Sequence, residues 1–329
     1  MYLIIILIEC WLTFICLKKF IKVSHSINNY GEDNAYIIRK ENVPTAGGII
    51  VFFIFLISFI LYFLFYKDMF LKTLPNRYYI LFLSVIILFI ISAYDDFKSI
   101  HPIYKLILQL VLVYISTTTL DLNKINLPLK LSILIVVFFW VYIINIMNFI
   151  DGSDGFLTSY SLFFFTSMLI ENFINSNFNS FETILSLLLI PILVIFLYFN
   201  KPPAKIFIGD SGSIFLGYLI GFICLHQILT SDWKLTLILL MYPLLDCSIT
   251  LFIKVKNGYY PWARLFDYFF LGPIRKNNNH SLVFKTIVFY LSLNFILFVG
   301  QLLFINNIMF LLLSFFLTIF TLIYFKKNS

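Results

Sequence analysis

Seven aspartates are the residues of this chain best suited to chemistry, and six of them stand in short polar segments between long apolar runs. They are Asp95, Asp96, Asp151, Asp154, Asp210, Asp246 and Asp267. Around Asp210 the sequence reads NKPPAKIFIGDSGSIFLG, in which glycine and serine leave the backbone bare and Lys205 lies just upstream. Backbone N–H groups that no side chain covers, together with lysines, can bind a phosphate, and the carboxylate can bind a metal ion attached to it. A flexible turn between two helices is the structural alternative.

A second polar segment contains the adjacent carboxylates of Asp95 and Asp96. Lys105 and Gln109 follow four residues apart and therefore share one face of the next helix. Adjacent carboxylates can hold a divalent ion, or one of them can act as a base toward a phosphate or hydroxyl group. Two acids that merely cap a loop are the alternative, but an acid pair at a helix C-terminus opposes the helix dipole. The pair therefore favours a functional role.

A third segment, NIMNFIDGSDGF, has four oxygen-bearing side chains within ten residues, at Asn145, Asn148, Asp151 and Asp154. No Lys or Arg stands beside them, which indicates a surface for a hard cation or a sugar. The segment is not an EF-hand loop, because the twelve-residue spacing and the final Glu are absent. A turn rich in Asn and Asp is the structural alternative.

Three further features admit both structural and functional interpretations. The PTAGG motif at 44–48 fits either close helix packing or substrate contact. Asp246 lies within an apolar run, where a buried acid pairs with a lysine or orders a loop. The polar segment 254–284 combines helically spaced aromatic residues, typical of an interfacial helix, with basic groups that would contact either a diphosphate or lipid headgroups. Those basic groups include Arg264, Arg275, Lys276 and His280.

The composition is that of an integral membrane protein. Of the 329 residues 61% are hydrophobic and 12% charged, against roughly 45–50% apolar and about 25% charged in soluble domains. The longest polar connection is too short for a separate domain. We therefore expect one membrane domain over 1–329. The net charge of +7 indicates no nucleic-acid partner, because the basic residues lie at the membrane edges.

Eleven apolar runs predict an all-α, polytopic membrane helix bundle of about 11 transmembrane helices. Loops after odd-numbered runs, with the C-terminal tail, hold 17 of the 23 Lys and Arg residues. The positive-inside rule then places the N-terminus outside, the C-terminus in the cytoplasm, and all seven aspartates at or near cytoplasmic ends. The loops expected to form the cytoplasmic site face are 18–45, 95–102, 148–155, 200–212 and 254–284.

Taken in this order, the segments resemble the polyprenyl-phosphate N-acetylhexosamine-1-phosphate transferases, or glycosyltransferase family 4. The resemblance rests on PTAGG, the YDD pair with Lys105 and Gln109 behind it, NxxNxxDGxDG and NKPPAKIFIGDSGSxxLG. It covers roughly residues 40–250, and the last two motifs are specific. The closer similarity is to WecA-like members than to MraY. Family members usually end the late cytoplasmic loop in paired histidines, whereas this loop has His280 alone.

The resemblance implies a reaction in which a UDP-activated amino sugar, such as UDP-GlcNAc, donates sugar-1-phosphate to undecaprenyl phosphate and releases UMP. It implies catalytic roles for Asp95, Asp96 and Asp210, and Mg²⁺, with Mn²⁺ as an alternative, held by Asp210 and Asn148. The substrate-binding residues it implies are Lys105, Asn145, Asp151, Asp154, Lys205, Arg264 and His280. The expected location is the bacterial inner membrane, with a cytoplasmic active site. A homodimer is an open alternative to a monomer.

Three alternatives lead to other functions. A CDP-alcohol phosphatidyltransferase needs an Ala-Arg pair soon after its first Asp-Gly, and here Ser153 and Asp154 follow instead. A secondary transporter would show repeated halves and acids near mid-membrane, and the sequence has neither. A catalytically inactive relative that binds lipid-linked sugar remains open because of the altered late loop. Catalysis by the purified protein distinguishes this third alternative from an enzyme.

Overall fold

The computed structural model describes residues 2–26, 43–66, 78–260, 267–304 and 307–329. Within these ranges the chain is helical and has no strand. The helices are α1 (Tyr2–Ser26), α2 (Gly47–Phe65), α3 (Tyr78–Phe97), α4 (Pro102–Ser116), α5 (Leu129–Ile150), α6 (Phe156–Ile174), α7 (Phe181–Asn200), α8 (Gly209–Thr230), α9 (Trp233–Lys256), α10 (Gly272–Asn277), α11 (His280–Leu303) and α12 (Met309–Lys327). Each of the eleven predicted apolar runs lies on one of these helices; α10 is the short additional one.

The helical membrane architecture predicted from the sequence is confirmed. Nine helices in the described ranges are long and apolar enough to cross a membrane: α2–α5, α7–α9, α11 and α12. The other two long helices are more polar, since α1 carries Glu9 and three lysines and α6 carries Glu171 and several hydroxyl groups. Large apolar side chains are exposed along the outer faces, as expected where lipid replaces water.

Helix α8 is the most buried of the nine and packs against α5, α3 and α2. Small residues on α8 allow this close packing. A Cβ atom at Gly221 would lie 2.4 Å from Cδ1 of Trp140, which is fully buried on α5. The Trp140 indole donates a hydrogen bond to the carbonyl oxygen of Tyr218 at 2.9 Å. Small residues let helix backbones approach in a membrane, so α5 and α8 form a fixed central pair.

The functional segments converge at one end of the bundle because successive long helices alternate in direction. Helices α3, α5 and α7 end there, and α4, α6 and α8 begin there. This arrangement brings together the predicted segments 95–102, 148–155 and 200–212. Most of the predicted segment 18–45 lies outside the described residues, as does part of 254–284.

Candidate active site

A lysine joins two of the aspartates named by the sequence. Lys105 Nζ lies 2.5 Å from Asp95 Oδ2 and 2.7 Å from Asp210 Oδ2. Only 10% of the Asp95 side chain and 16% of the Lys105 side chain are exposed. Partial burial weakens the screening of these charges by water, so the ion pairs are stronger than surface ones. The end of α3, the start of α4 and the start of α8 are thereby held together.

Asp96 binds the first turn of α8. Its Oδ1 accepts a hydrogen bond from the backbone N–H of Asp210 at 2.8 Å, and its Oδ2 accepts one from Ser211 at 3.1 Å. The first N–H groups of a helix have no partner inside it, and the helix dipole favours a negative charge there. Asp96 therefore positions Asp210. The sequence assigned Asp96 a catalytic role and did not reveal this contact, which depends on the fold.

The backbone before Asp210 pairs with the PTAGG motif. Gly47 donates to the carbonyl oxygen of Phe207 at 2.9 Å, and Gly48 donates to that of Ile208 at 2.7 Å. Gly209 has a φ of +72°, and a Cβ atom there would lie 2.1 Å from the backbone oxygen of Thr45. A Cβ on Gly48 would lie 2.2 Å from the nitrogen of Gly212. The glycines of PTAGG thus allow close packing of the backbone. Of the two interpretations of this motif, close packing and substrate contact, the structure shows the first.

The polar segment after α5 surrounds the same aspartate. Asn148 interacts with the Asp210 carboxylate, and Asn145 donates a hydrogen bond to Gln109 Oε1 at 2.8 Å. Asp151 follows α5 and lies near the backbone N–H of Gly209. Desolvation raises the pKa of Asp151 well above its ordinary value, and the charges of Asp210 and Asp96 raise it further. Asp151 therefore belongs to the same electrostatic cluster.

Asp154 and His280 form a pair at the edge of this cluster. Asp154 is 1% exposed, its Oδ2 accepts from the backbone N–H of Ala204 at 3.0 Å, and its Oδ1 lies 3.2 Å from Nδ1 of His280. Asn200 fixes the same loop, because it donates to the carbonyl oxygen of Ile206 and accepts from Thr158, both at 2.8 Å. The pair connects the start of α6, the 200–207 loop and the start of α11.

In the described part of the chain, Lys205, Arg275 and Lys276 form no ion pair with the clustered carboxylates. Lys205 is exposed, and its backbone N–H donates to the carbonyl oxygen of Phe199 at 2.8 Å. Arg275 pairs with Asp267 at 2.6 Å, and Lys276 Nζ lies 3.1 Å from the backbone oxygen of Ser329. Arg264, which the sequence predicted to bind substrate, lies outside the described residues.

Asp246 orders the polypeptide beneath the site. Its buried carboxylate accepts hydrogen bonds from the Tyr242 hydroxyl and the backbone N–H of Phe269, both at 3.0 Å. Phe270 is fully buried and packs edge-on against Phe156, with ring centroids 5.0 Å apart. Of the two structural roles that the sequence allowed for Asp246, loop ordering is the one observed. Of the aromatic residues expected to form an interfacial helix, Trp262 and Phe266 lie outside the described residues, and Phe270 is buried in the core.

The donor set suits a hard divalent cation. The carboxylates of Asp95, Asp96 and Asp151 each interact with that of Asp210, and Lys105 is the ammonium group paired with Asp95 and Asp210. Among the described residues, no three His, Cys, Asp or Glu side chains are gathered closely enough to hold a metal by themselves. Mg²⁺ commonly binds one or two carboxylates plus substrate phosphates and water, so Asp210 and Asn148 fit it.

Comparison with known proteins identifies the family of this chain. Residues 78–228 match the family described as Glycosyl transferase family 4. A phospho-N-acetylmuramoyl-pentapeptide-transferase of Dictyoglomus turgidum is 31% identical over 280 residues, which cover 80% of this chain and 81% of the relative. Enzymes of the same name from Streptococcus uberis and Streptococcus mutans are 30% and 31% identical, covering 74% and 71% of this chain and 78% and 71% of theirs.

The matched region 78–228 contains Asp95, Lys105, Asn148 and Asp210, the residues that the structure brings together. The similarity to the relative from Dictyoglomus turgidum extends beyond this region, over four-fifths of the chain. The chain therefore belongs to glycosyl transferase family 4, the polyprenyl-phosphate N-acetylhexosamine-1-phosphate transferases.

Proposed function

We propose that this protein transfers an N-acetylhexosamine-1-phosphate from a UDP-sugar to undecaprenyl phosphate and releases UMP, on the cytoplasmic face of the bacterial membrane. The observation that carries the proposal is the bridge from Asp95 through Lys105 to Asp210 at the end of three membrane helices. Two anionic substrates must meet for this reaction, and a lysine held between carboxylates at the membrane edge suits that task.

The reaction is a displacement at phosphorus. A phosphate oxygen of the lipid attacks the β-phosphorus of the UDP-sugar, and the bond from that phosphorus to the bridging oxygen breaks, so UMP leaves. One displacement is the simplest path, and a covalent aspartyl intermediate is the alternative. Catalysis of such a transfer depends mainly on positioning and on stabilising charge.

The residues of the cluster divide these tasks. In the proposed mechanism, Lys105 moves from the carboxylates to substrate phosphate oxygens, and Asp95 then accepts a proton from the lipid phosphate or orients it. Asp96 holds the start of α8 and so fixes Asp210. Asp210 and Asn148 would hold Mg²⁺, or Mn²⁺ in its place. Such an ion supplies charge neutralisation of the diphosphate when bound.

The other polar residues are proposed to place the donor. Asn145, Asp151 and Asp154 line the polar segment after α5, where they would orient the nucleotide or the sugar. Lys205 is exposed beside that segment, so its ammonium group would reach the donor phosphates from the solvent side. We place Arg264 and His280 in the same substrate-binding group, with His280 acting through its pair with Asp154.

We propose a GlcNAc-type donor first, because the late loop has a single histidine, His280, where family members usually have a histidine pair. UDP-N-acetylmuramoyl-pentapeptide is the second candidate donor, supported by the names of the relatives. These donors differ in the substituent on the sugar, so a direct comparison of donors separates the two.

The test is UMP release by purified protein supplied with undecaprenyl phosphate, Mg²⁺ and a panel of UDP-sugars that includes both donors. We expect metal-dependent UMP from one amino-sugar donor and none with EDTA. Asp210→Asn and Asp95→Asn should each lower turnover by at least about 10²-fold. If folded, Mg²⁺-supplied protein released no UMP from any donor, the proposal would fail in favour of an inactive relative.

A further inference from the structure

Gln109 is a buried polar side chain beside the candidate active site, and the reaction proposed above leaves it without a role. It stands on α4 four residues after Lys105, so both side chains lie on one face of that helix. Only 3% of Gln109 is exposed, and its Oε1 accepts a hydrogen bond from Asn145 at 2.8 Å. A buried amide usually has partners for both its oxygen and its nitrogen, and this contact uses the oxygen.

The orientation of the Gln109 and Asn145 amides follows from one backbone carbonyl group. Asn145 Nδ2 donates a hydrogen bond to the carbonyl oxygen of Val141, one turn earlier on α5, at 2.8 Å. A carbonyl oxygen can only accept, so the NH₂ group of Asn145 must face it. The same nitrogen faces Gln109, which therefore turns its oxygen toward Asn145. What Gln109 can still offer a ligand is its own NH₂ group.

The position of Gln109 along α4 relates it to the lipid substrate rather than to the water-soluble one. Helix α4 begins at Pro102 at the site end of the bundle, and Gln109 lies roughly 6 Å further along the helix axis than Lys105. It is therefore on the membrane side of the Asp–Lys cluster. In the proposed reaction the UDP-sugar reaches this cluster from water and the lipid phosphate reaches it from the membrane. Gln109 is thus nearer to the path of the lipid.

One face of α5 connects this position to the lipid-exposed surface. Asn145, Tyr142 and Phe138 are three and four residues apart, so they share a face of that helix. Asn145 and Tyr142 are half-buried, and Phe138 is 58% exposed. Along α5 the surface therefore changes from an amide, through an amphipathic ring, to an exposed apolar side chain. A polyprenyl chain lying on this face would place its phosphate beside Gln109.

We propose that Gln109 binds the phosphate group of the acceptor lipid by donating a hydrogen bond from Nε2 to a phosphate oxygen. The inference rests on the proposed function, because it takes undecaprenyl phosphate as the acceptor. Ionised phosphate oxygens accept hydrogen bonds, which matches the NH₂ group that Gln109 offers. Gln109 adds a directional neutral contact to the charge of Lys105. Asn145 retains its Oδ1, an acceptor that suits a hydroxyl or N–H group of the sugar, as in the role proposed for it above.

The test compares two lipids that differ only in the headgroup, undecaprenyl phosphate and undecaprenol. Their dissociation constants for the full-length protein are measured by native mass spectrometry from detergent, without a UDP-sugar. Gln109→Met keeps a side chain of similar length and removes the amide. We expect Gln109→Met to weaken the binding of undecaprenyl phosphate at least about tenfold, the scale for a hydrogen bond to a charged group, and to leave the binding of undecaprenol unchanged.

The matched control is Gln227→Met, the same substitution at a side chain that is 5% exposed near the other end of α8. It should leave both dissociation constants unchanged. If Gln109→Met fails to fold, Gln109→Glu is the substitute, because its carboxylate can still accept the hydrogen bond from Asn145 but has no N–H group. It too should lower the preference for undecaprenyl phosphate over undecaprenol.

Three results would overturn the proposal. The first is a folded Gln109→Met or Gln109→Glu protein that prefers undecaprenyl phosphate as strongly as the unsubstituted protein does. The second is equal weakening of both lipids by Gln109→Met, which would limit Gln109 to a packing role. The third is an unsubstituted protein that binds undecaprenol as tightly as undecaprenyl phosphate. All three are binding results, so they differ from a failure of the proposed function, which the absence of UMP release would show.

Discussion

At the scale of single residues, Lys105 affects two carboxylates at once. It pairs with Asp95 and Asp210, so its loss leaves both acids near Asp96 and Asp151 without the opposite charge that they have in the structure. We expect Lys105→Met to lower turnover by at least about 10²-fold, the usual scale for losing an electrostatic contact to a reacting group. The measurement is the rate of UMP release at saturating substrates.

The matched control for this substitution is Lys98→Met. Lys98 is an exposed lysine in the connection between α3 and α4, just before the helix that carries Lys105. Its removal changes the net charge by the same amount without touching the carboxylates. Equal losses of turnover in Lys98→Met and Lys105→Met would show that general charge near the membrane, rather than the bridge, matters.

A second prediction at this scale concerns Asp154 and His280, which lie 3.2 Å apart. We expect the two residues to act as a unit that holds the 200–207 loop. The double variant Asp154→Asn/His280→Asn should then lose little more turnover than the more impaired of the two single variants. We expect a coupling of about 0.5–3 kcal/mol in the double-mutant cycle. The exposed pair Asp267 and Arg275 is the control, where little coupling is expected. Additive losses at Asp154 and His280 would exclude a joint role.

The residue types of the site could be predicted from the sequence better than their contacts. The motifs identified Asp95, Lys105, Asn148 and Asp210, because paired acids and amides in polar segments stand out from apolar runs. The binding of Asp96 to the start of α8 was not predictable, since Asp96 and Ser211 are 115 residues apart and meet only through the fold. The Asp154–His280 pair was hidden for the same reason.

At the scale of helices and loops, glycines set how closely α2 approaches α8. A Cβ at Gly48 would lie 2.2 Å from the nitrogen of Gly212, where only backbone can yield. Gly48→Ala should therefore destabilise the protein by about 1–3 kcal/mol, the usual cost of overpacking. The measurement is thermal unfolding in detergent.

Gly152→Ala is the control, since its Cβ would have 3.4 Å to its nearest neighbour, an ordinary contact. A Gly48→Ala protein as stable as Gly152→Ala would contradict the close packing of α2 on α8.

The helices themselves were predictable, because apolar runs of this length have no stable alternative to a helix in lipid. The backbone pairing of residues 44–48 with 207–208 was not, because PTAGG fits packing and substrate contact equally.

At the scale of the whole molecule, the bundle has two polar ends that differ in charge. One end holds the Asp–Lys cluster and the other holds a cavity lined by Glu171 and Glu182. Lysines and arginines concentrate at the first end, which the positive-inside rule assigns to the cytoplasm. Since a UDP-sugar is made in the cytoplasm, the proposed reaction requires that same orientation.

This orientation can be tested with single cysteines in a background without the native Cys10, Cys16, Cys224 and Cys247. Lys205→Cys marks the site end and Asn175→Cys marks the cavity end, and both positions are exposed. In intact cells an impermeant thiol reagent should label Asn175→Cys but reach Lys205→Cys only after permeabilisation. The reverse pattern would place the carboxylate cluster outside, away from any cytoplasmic nucleotide-sugar. That result would remove the proposed donor, because a cluster outside the cell would not meet the UDP-sugar made in the cytoplasm.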